Sequence, residues 1–330
     1  MVGNTVSVAV NGNTAYRKGE YFDYALSTPN SGTPWYGSVT VASGSSQSSG
    51  HLYVPGSPEA FSYDLDGNLH SDGHWTYTRD AEKRLVQMVS NNSTAPPQLI
   101  KFEYDWLGRR IHKQVWNNTT GYGTAAADYH YLYDGWEPIA ELSGVNNVVL
   151  QAYVWGTDLS GTLQGAGGVG GLLSLFDVNS GSVTWFAAGD RNGNVVGLPN
   201  ARTGTVDANH EYGPFGELIR ATGPTARTNP FRFSTKYQDD ESGLLYYGYR
   251  HYNPGWPRRS TRWSSWARAG HRVSRHRGPS RVPHKAMLCP GCSRRRRGLW
   301  GCSVIGARRA RLAEALGLVR EHRRLWTSPG

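Results

Sequence analysis

From residue 6 to Pro254 the chain is written in short runs of alternating apolar and polar residues, broken every few positions by Asp, Asn or Gly. Alternation with a period of two is the signature of half-buried strands, and the breakers are the residues that tight turns select. "VSVAVNGNTAY" predicts two strands around Asn11 and Gly12, and "LLSLFDVNSGSVTWF" two more around residues 179–181. Residues 233–253 read as a strand, a turn over residues 239–243, and one tyrosine-rich strand. The Ser- and Gly-rich residues 37–56 read as a loop. No stretch before Gly255 carries a helical period, so the expected class is all-β.

A unit recurs within this pattern: an aromatic residue, Asp, two residues, Gly, then a short apolar stretch. It appears as Tyr63, Asp64 and Gly67, and again as Tyr104, Asp105 and Gly108. Asp190 with Gly193, and Tyr212 with Gly216, keep parts of it. In a degenerate copy Tyr77 precedes Asp80 by three and Lys83 replaces the glycine, and Tyr133 with Asp134 begins a unit that drifts. An Asp entering a turn accepts backbone N–H groups two residues on, and a glycine three later supplies positive φ. Each unit is therefore a hairpin that cannot bury its own face, and stacked units can.

These tandem units, with "GTDLSGTLQGAGGVGGLLSLFD" (156–177) and "NPFRFSTKYQDDESGLLYYGYRHYNP" (229–254), resemble the Rhs (YD-repeat) family and its repeat-associated core region over residues 60–254. The resemblance implies stacked antiparallel hairpins in a curved, shell-like sheet that encloses a C-terminal toxin, in bacterial secreted or cell-surface proteins. The division expected from it is a β-rich segment 1–59, YD repeats 60–155, the core region 156–254, and a basic, mostly disordered tail 255–330. After Pro254 the family's Gly-Arg-aromatic and Asp-Pro continuation is missing, and with it the aspartates associated with self-cleavage. The chain reads as a fragment whose tail is either a frameshifted stretch or a genuine exchanged effector.

Composition sharpens the break at Pro254. The net charge of +10 comes from the tail, where 19 Lys and Arg face only Glu314 and Glu321; the preceding residues carry 16 basic and 23 acidic groups. All 19 tyrosines precede the tail. Nucleic-acid binding driven by charge is thus confined to the tail, whose Leu312, Leu316 and Val319 share one face of a basic amphipathic helix. With two acids in the tail, the cluster of His, Asp and Glu that a nuclease uses to hold a metal or activate water is lacking. The N-terminus has neither a basic start nor an apolar run, and no window suits a membrane helix, so the chain reads as soluble, with export left to another part of a longer product or to a dedicated machine.

Four patterns invite chemistry. Gly165, Gly167 and Gly170, with Asp190 about twenty residues on, match a dinucleotide fingerprint, but a strand pattern follows where a helix should open, so the glycines read as turns. Asp64, Asp66 and Asn68 open like a calcium loop whose twelfth position is Trp75, so the Asp reads as a turn residue. Cys289 and Cys292 have knuckle spacing, with Cys302 and His284 as further weak metal candidates in an arginine-rich setting. His51, His70, His74, His112, His130 and His210 show no triad spacing, and Asp239, Asp240 and Glu241 sit in a predicted turn. No cofactor or catalytic residue is expected. The function read from the chain is a wall segment of an encapsulating shell, partnered by further repeats or an enclosed toxin domain. The alternatives are a toxin-bearing terminus whose tail attacks nucleic acid and a carbohydrate-binding β protein using exposed Trp and Tyr.

Overall fold

The computed structural model describes residues 6–91 and 93–255. The chain divides into two units, Met1–Asn253 and Pro254–Gly330. The four cysteine and histidine candidates of the tail, and its amphipathic stretch, lie outside the described residues. Among those residues the structure is antiparallel β, with a single 3-10 turn at Phe233–Thr235 and no α-helix.

The first strands are β1 (Val8–Val10), β2 (Asn13–Thr14), β3 (Tyr16–Lys18) and β4 (Tyr21–Asp23), followed by the long pair β5 (Trp35–Ser43) and β6 (Ser46–Val54). Strands β2, β1, β5 and β6 form one sheet in that order. The loop expected over residues 37–56 is instead a regular hairpin, paired without a break from Trp35↔Val54 to Ser43↔Ser46. Val39 and Val41 account for it: they pack on the buried Val8, Val10 and Ala15. The cross-strand partners of Val39 and Val41 on that face are Gly50 and Ser48, which leaves the burial to the valines, and Gly44 at φ 58° lets the chain reverse. Serine-rich composition hid a strand whose burial rests on two valines.

The main sheet is a meander of eleven strands, each hydrogen-bonded to the next in sequence. They are β7 (Ser62–Tyr63), β8 (Leu69–Ser71), β9 (Trp75–Arg79), β10 (Leu85–Ser90), β11 (Leu99–Tyr104), β12 (Arg110–Trp116), β13 (Ala127–Asp134), β14 (Glu137–Ser143), β15 (Val149–Trp155), β16 (Leu172–Asp177) and β17 (Val183–Phe186). Such nearest-neighbour pairing is what hairpin units in tandem produce. A four-stranded sheet follows from β18 (Ala188–Gly189), β19 (Val195–Pro199), β20 (Val206–Tyr212) and β21 (Leu218–Thr222).

Last come β22 (Tyr237–Gln238), β23 (Leu245–Tyr246) and β24 (His251–Tyr252). The tyrosine-rich strand expected here is broken in two, because Gly248 at φ 76° lets the N–H of Tyr247 donate to the carbonyl of Arg250 at 2.8 Å. This segment covers the meander. Leu244 packs with Trp75, Met88, Ile100 and Phe102, while Phe231, Tyr237 and Tyr246 pack with Tyr131, Tyr153, Trp155 and Leu175. The buried face that no single hairpin could hide is thereby closed off from water.

The turn glycines can be tested in pairs. Gly67 and Gly108 have nearly the same φ, 80° and 81°, but a Cβ at Gly67 would meet nothing within 4 Å, whereas one at Gly108 would stand 3.0 Å from the Tyr249 ring. Gly67→Ala is expected to cost about 1–2 kcal/mol from the left-handed backbone alone. Gly108→Ala should cost measurably more, read as a lower urea midpoint at unchanged m-value.

Candidate functional site

Four turns share one geometry. In those led by Asp64, Asp80, Asp105 and Asp190, the N–H of the residue three on donates to the Asp carbonyl, and the Asp N–H donates to the carbonyl four on. One carboxylate oxygen accepts the N–H groups two and four residues on, at 2.7–3.0 Å. The other accepts the side chain of the fourth residue: Asn68, Arg84, Arg109 or Asn194, at 2.7–2.8 Å. The Asn68 side chain and the backbone donors hold the Asp64 carboxyl below its usual range. Gly67, Gly108 and Gly193 take positive φ, and in the degenerate copy Lys83 does so at 64°.

The unit at Tyr212 departs from this scheme, since Gly213 stands where the Asp would be and Glu217 accepts the N–H of Phe215 instead. Gly216 keeps φ 88°. Tyr133 and Asp134 lead into a two-residue reversal, with Asp134 paired to Glu137.

In three places a tyrosine joins one unit to the previous one, whereas Tyr77 of the degenerate copy donates to the Asp72 carboxylate at 2.6 Å and Gly189 stands before Asp190. Tyr104 Oη donates to the carbonyl of Leu85, Tyr133 Oη to that of Arg110, and Tyr212 Oη to that of Val195, at 2.7–2.8 Å. Each acceptor lies five residues after the residue that leads the preceding turn. The turn arginines reach the other way: Arg84 lies 5.3 Å from the Tyr104 ring centroid and Arg109 lies 5.3 Å from that of Tyr133, a cation–π distance. Burial pushes the Tyr104, Tyr133 and Tyr212 phenols up, so they remain donors. Only the unit led by Tyr63 offers a bare phenol, 58% exposed on the outer strand β7.

Between sheet and cover lies a buried charge cluster that the sequence does not announce. Arg110 and Lys113 are both buried on β12 although they lie three residues apart, because a β-bulge over residues 110–112 brings Arg110 to the side of Lys113. Both meet Asp239, which is fully buried: Arg110 donates to one carboxylate oxygen at 2.7 Å and Lys113 to the other at 3.1 Å. Lys113 also donates to Glu241 at 2.8 Å. The Arg110 guanidinium is ringed by Phe102, Tyr131, Tyr237 and Tyr246 at 4.7–5.3 Å from their centroids. Tyr237 donates to Glu141 at 2.6 Å. Burial opposes the charge on Asp239, but the two cations prevail and hold its carboxyl well below the carboxylate range.

A recess of about 190 Å³ opens beside this cluster, with Tyr133, Trp136, Lys236, Tyr247 and Tyr249 among its lining. Of the two cations that line it, Arg110 is engaged by Asp239 and Lys236 donates to the carbonyl of Gly167, so the arrangement clamps segments of the chain together.

The glycines at 165, 167 and 170 lie in a loop that leads into β16 and not into a helix. Their turn does collect N–H groups as an anion site would. The anion is the chain's own: Asp158 accepts the N–H of Ala166 at 2.6 Å and of Gly168 at 3.1 Å.

No family model matches the chain. It is similar to the tRNA3(Ser)-specific nuclease WapA of Bacillus spizizenii, with 27% identity over 197 residues. It is also similar to the tRNA(Glu)-specific nuclease WapA of Bacillus subtilis subsp. natto, with 25% identity, and to the tRNA nuclease WapA of Bacillus subtilis, with 26%. Among solved structures, the Photorhabdus luminescens Tc holotoxin pore aligns with 66% of this chain and 11% of its own at 14% identity and a TM-score of 0.43. The TcdB2-TccC3 structure aligns over the same shares at 16% identity and a TM-score of 0.40. The stretch shared with the nucleases is 59% of this chain but 7% of theirs, so the chain is similar to a short part of much longer proteins.

Proposed function

We propose that the chain is a wall segment of an Rhs-type encapsulating protein, secreted or displayed at a bacterial surface, with no catalysis of its own. The observation that carries this reading is the seam between units. Tyr104, Tyr133 and Tyr212 are each spent on a carbonyl of the preceding unit, while Tyr63 on the outermost strand stands exposed as the position a further unit would occupy. Its partners are then further repeats or an enclosed toxin domain, and the repeat turns at Asp64, Asp105 and Asp190 are scaffolding that sets the spacing of the wall. The similarity to a short stretch of long nucleases supports a part that accompanies a toxic activity without performing it.

The names of those relatives favour one other reading, a terminus whose basic tail cleaves tRNA. Total tRNA incubated with the purified full chain and resolved on a denaturing gel separates the two. The wall reading expects intact tRNA at stoichiometric protein. Fragments that vanish when the tail arginines at 294–297 are replaced by Ser would overturn it.

A further inference from the structure

The sheet brings together three residues that the sequence scatters. His112 on β12 pairs directly with His130 on β13, and Gln114 pairs with Asp128, so all four side chains stand on one face across a single ladder. One ligand atom from each of His112, Asp128 and His130 lies within 4.8 Å of the others, all three side chains being partly buried. A tetrahedral zinc ion with bonds of about 2.0–2.2 Å sets its donors about 3.3 Å apart, a rotamer adjustment away from this cluster.

The outward atoms of the three residues are already held. His112 Nδ1 lies 3.3 Å from Glu103 Oε1, while its Nε2 faces the inside of the cluster, 2.7 Å from Asp128 Oδ1, a contact that a bound ion would replace. His130 Nδ1 lies 2.7 Å from Asn147 Oδ1, which leaves Nε2 to carry the lone pair. The second Asp128 oxygen accepts from Gln114 Nε2 at 2.9 Å. A histidine whose far nitrogen is fixed by an oxygen acceptor, beside a carboxylate fixed by an amide, is the second layer that metal-binding imidazoles require.

We propose that His112, Asp128 and His130 bind a divalent ion of the zinc class, joining β12 to β13 and leaving one coordination position open. Two imidazoles with one carboxylate suit zinc, nickel or copper and are poor ligands for calcium or magnesium. The site does not depend on the wall reading, since it needs only the ladder.

The test uses the full chain with Cys289, Cys292 and Cys302 replaced by Ser and any purification tag removed, so that tail thiols add nothing. Zinc chloride titrated in a calorimeter should bind at one ion per chain and raise the thermal midpoint. His130→Gln and Asp128→Asn should each weaken binding at least tenfold and abolish the zinc-induced rise in thermal midpoint while leaving the circular dichroism unchanged. Glu103→Gln, which touches only the far nitrogen of His112, should weaken it by a smaller factor. Cobalt in place of zinc should give the visible absorption of a four-coordinate ion, lost in His130→Gln. Absence of saturable binding, or full affinity in both ligand variants, would overturn the proposal.

Discussion

Asp239→Ala is expected to destabilise the chain by about 3–5 kcal/mol, the cost of leaving buried cations without their counter-charge. The carboxylate is wholly enclosed, and the two side chains it serves, Arg110 and Lys113, are 1% and 3% exposed. Without it Lys113 retains Glu241, but Arg110 keeps only aromatic faces, which soften a desolvated charge and do not neutralise it. Against a typical total stability of about 5–15 kcal/mol, such a loss brings the fold near its threshold. Urea unfolding should therefore show a much lower midpoint, with the cover segment 237–252 opening first in hydrogen exchange. The triple replacement Arg110→Met, Lys113→Met and Asp239→Leu should recover most of the loss, because apolar side chains of similar volume remove the charges together. A cost below about 1 kcal/mol for Asp239→Ala would mean that water reaches the cluster, and the clamp would be refuted.

The same residue shows where sequence reading succeeds and where it stops. Asp239 does stand at a turn, its N–H donating to the carbonyl of Leu244 and its carbonyl accepting from Gly243, and turn chemistry is local enough to be read from a few letters. The destination of its side chain is not local. Arg110 and Lys113 precede it by 129 and 126 residues, and only the register of the meander and the path of the cover bring them together. His112 and His130 carry the same lesson, since eighteen residues apart they have no motif spacing and β-ladder pairing alone makes them neighbours. Hairpins led by Asp and closed by Gly were legible because both residues act on their own backbone. The β5–β6 hairpin was not, because on the face that carries Val39 and Val41 their neighbours are Gly37, Ser43, Ser48 and Gly50, and only the two valines mark it as buried. A faint signal for the clamp did exist in Lys113, a charge in the phase of the buried Val115, where an unpaired charge is not tolerated, whereas Arg110 reaches that side only through the β-bulge over residues 110–112.

Acidification should weaken the fold well before its carboxylates titrate. Burial pulls the His74, His210 and His251 imidazoles down, with His251 pushed down to about 3 in spite of the nearby Asp239 charge. His210 Nε2 faces the carbonyl of Ala226 at 2.6 Å, and the His251 ring is wedged near Phe102 and Tyr246, so neither site offers a second acceptor that would favour the imidazolium. An unfolded histidine takes up its proton near pH 6.5. Between there and pH 3 the unfolded chain binds more protons than the folded one, so stability is complete above about pH 6.5 and falls as pH is lowered, by up to about 1.4 kcal/mol per pH unit for each histidine. Glu59 and Glu141, raised by burial, act in the opposite sense above about pH 4.5, because they keep protons in the fold that the unfolded chain has released. Asp64, Asp80, Asp105 and Asp239 are all lowered, and their contribution is lost only below about pH 4. The histidine share is isolated by difference: His251→Phe keeps an aromatic ring in place and removes the proton. In urea titrations without divalent metal, the loss of stability from pH 7 to pH 5 should be smaller in the variant by up to about 2 kcal/mol. Identical slopes for the two chains would show that the His251 ring protonates in the folded state as freely as in water, and that the cover admits solvent at its C-terminal end.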